Sequence, residues 1–328
     1  MNPDSTPAPN PLDANQEADP TPGLEAPAPA CVMCFNASDP SGAGGVPGDV
    51  ATVAAMGAHA LPVVTTIVMR DTAEVFDQHL LDAEIVAEQA RSILEDVTVA
   101  GFKVGFLGSA EILSAVAEVL SDYADVPLVS YLPGLSWLDE DQQQPYLDAF
   151  RELILPATEV LVGNHQTLMD LLLPDWESER PASPRELAVA AGEHGTRYVL
   201  VTGVALPSKG ADQFIDNVLA SPQGALTGEK FERFDTSFVG CGDTLAAALA
   251  ALLAAGSELQ AAVGEALAFL DQSLDAGFRP GMGHVVPDRF FWALPPDDEE
   301  DDASDLLPAA DDDPAADSKA KGGPRRVH

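Results

Sequence analysis

The sequence predicts an α/β fold, a mostly parallel sheet covered by helices on both sides, and three observations carry that expectation. Short apolar runs at 31–36, 99–104, 127–131, 159–162 and 198–201 have no alternating polar face. Strands of that kind are buried on both sides, as in parallel sheets. Between them lie segments with helical spacing of apolar residues, so strand and helix signals alternate along the chain. Finally, 46% of the 328 residues are apolar, enough for a sizeable core.

In chain order, residues 31–36 read as a strand, and a glycine-rich turn at 41–45 leads into a helix near 46–56. The β-branched run 59–68 is a strand, 83–95 a helix, 99–104 a strand and 110–123 a helix. The strand 127–131 precedes a helix whose end covers 146–155. A strand at 159–162, a helix at 184–194 and a strand at 198–201 follow. Residues 214–220 and 225–234 have no helix between them, which predicts a hairpin at one sheet edge. Two helices rich in small residues, 244–255 and 259–274, close the domain. The expected domain spans 30–294, between tails at 1–29 and 295–328 that lack a periodic apolar pattern and are expected to be disordered.

The formal charge is −37, of which residues 1–30 and 297–328 contribute −12. A body this acidic repels nucleic acid and anionic membranes, so neither is expected as a partner. No apolar run reaches the ~18 residues a membrane span needs. The first residues lack the basic-then-apolar pattern of a secretory signal, and the expected compartment is the cytoplasm. Three cysteines, Cys31, Cys34 and Cys241, do not make a disulfide framework. Cys31 and Cys34 have C-x-x-C spacing but sit inside an apolar run, where the core reading outweighs a redox or zinc one.

The most informative stretch is Gly240-Cys241-Gly242-Asp243-Thr244, opening directly onto an Ala/Leu helix. Backbone N–H groups at such a helix start form a nest for an anion, reinforced by the helix dipole. There Asp243 is either a catalytic base, taking a proton from a substrate hydroxyl beside the transferring phosphoryl, or a plain N-cap. The spacing leaves both open. A second constellation runs from Asn36 to Asp49 through Gly42, Gly44, Gly45 and Gly48, beyond the first strand. Ligands of open α/β sheets bind at such carboxyl ends. Asp39 and Asp49 supply acceptors for a polar small molecule, and no Gly-Lys-Ser/Thr phosphate loop follows.

Three motifs in order, Ser38-Asp39-Pro40-Ser41-Gly42-Ala43-Gly44-Gly45, Phe102-Lys103-Val104-Gly105-Phe106-Leu107-Gly108-Ser109 and Gly240 to Thr244, resemble the hydroxymethylpyrimidine/phosphomethylpyrimidine kinase family. The resemblance covers residues 31–292 and implies a ribokinase-like three-layer α/β/α sandwich. It implies an enzyme that uses ATP with Mg2+ to phosphorylate a pyrimidine intermediate of thiamine synthesis, in a superfamily whose members are often homodimers. By position it places Ala37, Asp49, Arg70 and Phe106 at the acceptor, and Asn164, Thr202 and Gly203 toward the nucleotide. Asp243 falls where the pyrimidine kinases usually carry Cys, and where the wider superfamily has its base; Gly240, Cys241 and Gly242 supply backbone donors.

The chain departs from the family at Leu132-Pro133-Gly134-Leu135, which lacks an acidic residue, at Thr167, which replaces a glutamate, and at Thr202, which replaces a lysine. Arg70 replaces a glutamine and offers a cationic fork suited to a phosphate on the acceptor. The alternatives are a kinase of pyridoxal or another small alcohol, and a pyrimidine- or nucleotide-binding relative without turnover. His165 reads as an exposed loop residue and His284 as part of a turn, with no histidine pair at metal-ligand spacing.

Overall fold

Alternate side chains of the first strand, β1 (Cys31–Ser38), enter two different cores: Met33 and Phe35 join one, Val32 and Cys34 the other. A strand apolar on both faces needs cover on both, and period-2 alternation divides its side chains between the covers. The computed structural model describes residues 28–205 and 214–293. A compact unit ends at Phe291, and a second unit begins at Trp292. The tails expected to be disordered lie outside the described residues, apart from 28 and 29.

The remaining strands are β2 (His59–Arg70), β3 (Val75–Leu80), β4 (Gly101–Val104), β5 (Leu128–Tyr131), β6 (Val160–Asn164), β7 (Tyr198–Ala205), β8 (Phe214–Ser221) and β9 (Gly224–Glu232). Among the described residues they form one sheet in the order β3-β2-β1-β4-β5-β6-β7-β8-β9. Pairing is parallel from β2 through β7 and antiparallel at β3, β8 and β9. The β8–β9 hairpin forms one edge, as the sequence predicted. Helices α2 (Ala83–Leu94), α3 (Ala110–Ser121), α4 (Glu140–Ala149), α5 (His165–Leu172) and α6 (Pro184–Glu193) supply the core on one face. On the other face lie α1 (Gly45–Ala55), α7 (Cys241–Ala254) and α8 (Leu259–Asp275). The architecture is the expected three-layer sandwich.

Two elements were not expected. β3 is an edge strand held to β2 by backbone pairing, with Phe76 and Leu80 exposed, so it carries no core pattern. α5 is short and begins where Asn164 Oδ1 accepts from the Thr167 N–H at 2.9 Å. His165 is therefore the first residue of a helix and not a loop residue, and its Nε2 lies 2.6 Å from the Ala182 carbonyl oxygen. The helix expected to end over 146–155 starts at Glu140, contains Pro145 and finishes as a π-helical stretch, Phe150–Ile154. Cys31 and Cys34 contribute to opposite cores, which removes the redox reading of their spacing. No helix of the described residues is long and apolar enough to cross a membrane.

From β1 the sheet grows through β2 on one side and through β4 on the other, so strand order reverses between β1 and β4. The crevice beyond the carboxyl ends at such a switch point is where open α/β sheets bind ligands. The segment leaving β4 there is anchored by Tyr146, whose buried hydroxyl oxygen accepts from the Leu107 N–H at 3.1 Å. Tyr146→Phe removes that acceptor and strands a buried donor. It is expected to cost about 1–3 kcal/mol in a urea unfolding titration.

Candidate active site

Lys103 sits on β4 opposite Cys34 of β1, and its side chain is fully buried. An ammonium in that position is costly unless carboxylates and hydrogen bonds compensate it. Two acids do so from helices on the same face. Asp49 of α1 approaches its Nζ at 2.8 Å through Oδ1 and 3.0 Å through Oδ2, and Asp243 of α7 at 2.5 Å through Oδ1. Asn36 Nδ2 donates to both acids, to Asp49 Oδ2 at 2.9 Å and to Asp243 Oδ1 at 2.8 Å. Its Oδ1 accepts from the N–H groups of Ala37 and Phe106, at 2.9 and 3.0 Å, which fixes the orientation of the amide. The Gly45 N–H donates to Asp243 Oδ2 at 3.0 Å.

These contacts separate the two acids electrostatically. Burial pushes Asp49 up to about 7, against the pull of Lys103. Burial also acts on Asp243, but Lys103, Gly45 N–H and Asn36 outweigh it and hold that carboxyl below its ordinary value. Lys103 is subject to burial in the opposite sense, and the two carboxylates hold it above the usual lysine value. Asp243 is thus an ionised acceptor at neutral pH.

The helix start removes the N-cap reading of Asp243. Gly240 is the N-cap of α7, no side chain caps the helix, and Asp243 is the third helical residue, turned toward Lys103. The first N–H groups of a helix have no intrahelical partner, so the turn at Gly240 to Gly242 offers donors to an anion. Gly240 is required there on two counts. Its φ is +87°, and a Cβ would meet the Ala43 carbonyl oxygen at 1.7 Å. At Gly44 the constraint is proximity alone, because a Cβ would lie 2.6 Å from Asp243 Oδ2. Arg289, which the sequence reading did not single out, ties these loops together. Its guanidinium donates to the carbonyl oxygens of Gly42 and Ala43 and, at 3.1 Å, to Thr244 Oγ1.

Two cavities meet at this turn and share Thr202, Phe238, Cys241 and Gly242. One, of about 410 Å³, is bordered by Asn36, Ala37, Asp39, Arg70, Phe106 and Asp243, with Trp137 and Asn164 also on its wall. The other, of about 480 Å³, is an apolar slot containing Gly203, Asn217, Phe234, Leu270 and Leu274. Ala37, Asp39, Arg70 and Phe106 therefore share a cavity with Asp243. Asp49 does not line it: fully buried, it lies behind Asp243 against Lys103. Asn164 borders the Asp243 cavity and caps α5, while Thr202 borders both cavities.

Arg70 lies 3.5 Å from Asp39 Oδ2, and Asp39 is otherwise occupied by Ser41 and the Gly44 N–H. Burial pushes the Cys241 thiol up to about 12, so this residue offers its backbone and not a thiolate. Sequence reasoning missed Lys103 as a site residue. The available signal was a lysine inside a strand apolar on both faces, which requires buried counter-charges. Gly240→Ala is expected to lower stability by at least the roughly 1–2 kcal/mol of a left-handed non-glycine residue. Thermal melting checks it, and anion affinity at the α7 turn should fall with it.

Comparison with known proteins identifies the family. Residues 39–288 match the phosphomethylpyrimidine kinase family. The hydroxymethylpyrimidine/phosphomethylpyrimidine kinase of Streptomyces coelicolor is 30% identical over 267 residues, which cover 81% of this chain and 96% of that protein. The thiamine biosynthetic bifunctional enzyme of Arabidopsis thaliana is 32% identical over 260 residues, 74% of this chain. The chain spans 46% of that plant enzyme's length. The fold is also that of the Staphylococcus aureus pyridoxal kinase solved with AMP-PCP and pyridoxal, with a TM-score of 0.70, 21% identity and coverage of 81% of this chain and 96% of that one. The chain belongs to the phosphomethylpyrimidine kinase family, a family of phosphotransferases.

Proposed function

We propose that this protein transfers a phosphoryl group from ATP to the hydroxymethyl group of a hydroxymethylpyrimidine, or to its phosphate. One observation carries the reading: the Asp243 carboxyl, bonded by Lys103 and Asn36, stands beside an uncapped helix start where two cavities meet. The apolar slot suits a nucleotide base, with Asn217 and Thr202 as polar contacts. The cavity of Ala37, Asp39, Arg70 and Phe106 suits the acceptor, and the turn at Gly240 to Gly242 suits the phosphoryl in transit.

In the reaction Asp243 takes the acceptor proton as the new P–O bond forms, and the electron pair of the broken P–O bond leaves with ADP. The α7 N–H groups hold the charge of the transferred group, as expected where catalysis is mostly positioning and electrostatics. Mg2+, entering with ATP, would supply neutralisation of phosphate charge. Among the described residues no group of three or more His, Cys, Asp or Glu could hold a metal ion. Such an ion would be held mainly by phosphates and water.

Asp243 beside the intact glycine turn at Gly240 to Gly242 favours an enzyme over a relative without turnover. ATP consumption with hydroxymethylpyrimidine, its phosphate and pyridoxal tests the reading directly. Turnover is expected with a pyrimidine and should fall about 10²–10⁴-fold in Asp243→Ala. Absence of turnover on all three, with ligand still bound, contradicts it. Arg70, the cation on the acceptor cavity wall, favours a phosphorylated acceptor. Arg70→Ala should lose about 10–100-fold in kcat/KM on the phosphate, the value of a charge-assisted hydrogen bond, and keep activity on the alcohol.

A further inference from the structure

An aspartate on the first turn of a helix has several staggered rotamers, and only a defined one places an oxygen on a substrate proton. At Asp243 the two oxygens are held unequally. Oδ1 is engaged by Lys103 Nζ at 2.5 Å and by Asn36 Nδ2 at 2.8 Å. Oδ2 receives only the Gly45 N–H, at 3.0 Å, and lies against Gly44, and Gly44, Gly45 and Asp243 all line the cavity. Lys103 is itself held from behind by Asp49, and neither side chain is exposed.

We propose that the Lys103–Asp49 pair is a positioning device for phosphoryl transfer, pinning Oδ1 of Asp243 so that Oδ2 is the atom that receives the acceptor proton. The inference rests on the reading of Asp243 as the base. The acceptor O–H bond breaks, its proton goes to Oδ2, and the acceptor oxygen forms the bond to phosphorus while ADP departs. Lys103 keeps its own proton throughout, because two carboxylates hold the ammonium. With Asp49 ionised, the three groups carry a net charge of −1, which the arriving proton neutralises.

Other titratable and charged groups surround Asp243. They are Cys34 of β1, Tyr131 of β5, Cys241 of its own helix and Arg289 from the segment after α8. The Arg70–Asp39 pair lies across the shared cavity. Lys103 and Arg289 are the cations on the buried side, and Lys103 alone of the two bonds Asp243 directly. A deprotonated Asp243 is required for turnover, so activity is lost as pH falls through its pKa. Removing the cation raises that pKa and moves the acidic limb to higher pH.

The experiment is kcat/KM against pH for wild type, Asp243→Asn, Asp49→Asn and the double variant Lys103→Met with Asp49→Asn. The double variant removes cation and counter-charge together, so no uncompensated buried ammonium remains. Its kcat should fall roughly 10²-fold with ATP KM little changed, and its acidic limb should rise. Asp49→Asn alone removes the group that holds Lys103 from behind, so its kcat should also fall with ATP KM little changed. A double variant with wild-type kcat and an unmoved limb overturns the proposal, as does an Asp49→Asn variant with wild-type kcat. Wild-type turnover in Asp243→Asn would instead overturn the reading of the base.

Discussion

A lysine ammonium enclosed in a sheet has to be neutralised by carboxylates, and at Lys103 that requirement draws the centre of the molecule together. The strand that carries Lys103 can be buried on both faces only because α1 brings Asp49 and α7 brings Asp243 to it. Asn36 of the neighbouring strand then bonds both acids and the backbone of the segment after β4. Each of these groups comes from a different element, so the ion cluster fixes β1, β4, α1 and α7 relative to one another. It does so at the point where strand order reverses, and two of its members, Asn36 and Asp243, line the cavity there.

The same arrangement explains why the two glycine-rich stretches are where they are. The loop before α1 must pass within bonding distance of Asp243, which Gly44 and Gly45 permit and larger residues would block. The turn before α7 must pass against the carbonyl of Ala43, which the left-handed Gly240 permits. Arg289 fastens both stretches from below. Glycine at these positions thus serves the approach of two backbones to one carboxylate, and the uncapped α7 amides are left as donors.

Much of the fold was legible because its parallel strands are short and apolar throughout, and its hairpin lacks an intervening helix. β3 was not, because it is held by backbone pairing while its large side chains face outward. Motif and position singled out Asp243, Arg70 and Phe106, and the fold brings these three to one cavity. Asp49 was placed at the acceptor but lies behind Asp243, outside the cavity lining, since the motif shows its position in the chain and not the direction of its side chain. Lys103 was present in the motif at 102–109, yet its meaning depends on partners 54 and 140 residues away. Only the fold brings those together.

The most direct test of the account is the charge state of Lys103 itself. The chain has five lysines, so side-chain nitrogen resonances from lysine-labelled protein can be assigned with Lys103→Met. The two carboxylates hold this ammonium above the usual lysine value, and its resonance should therefore stay that of an ammonium beyond pH ~10.4, the reference value for a free lysine. A Lys103 signal that becomes a neutral amine at lower pH than the others would contradict the account, because the ion cluster at the switch point would not exist.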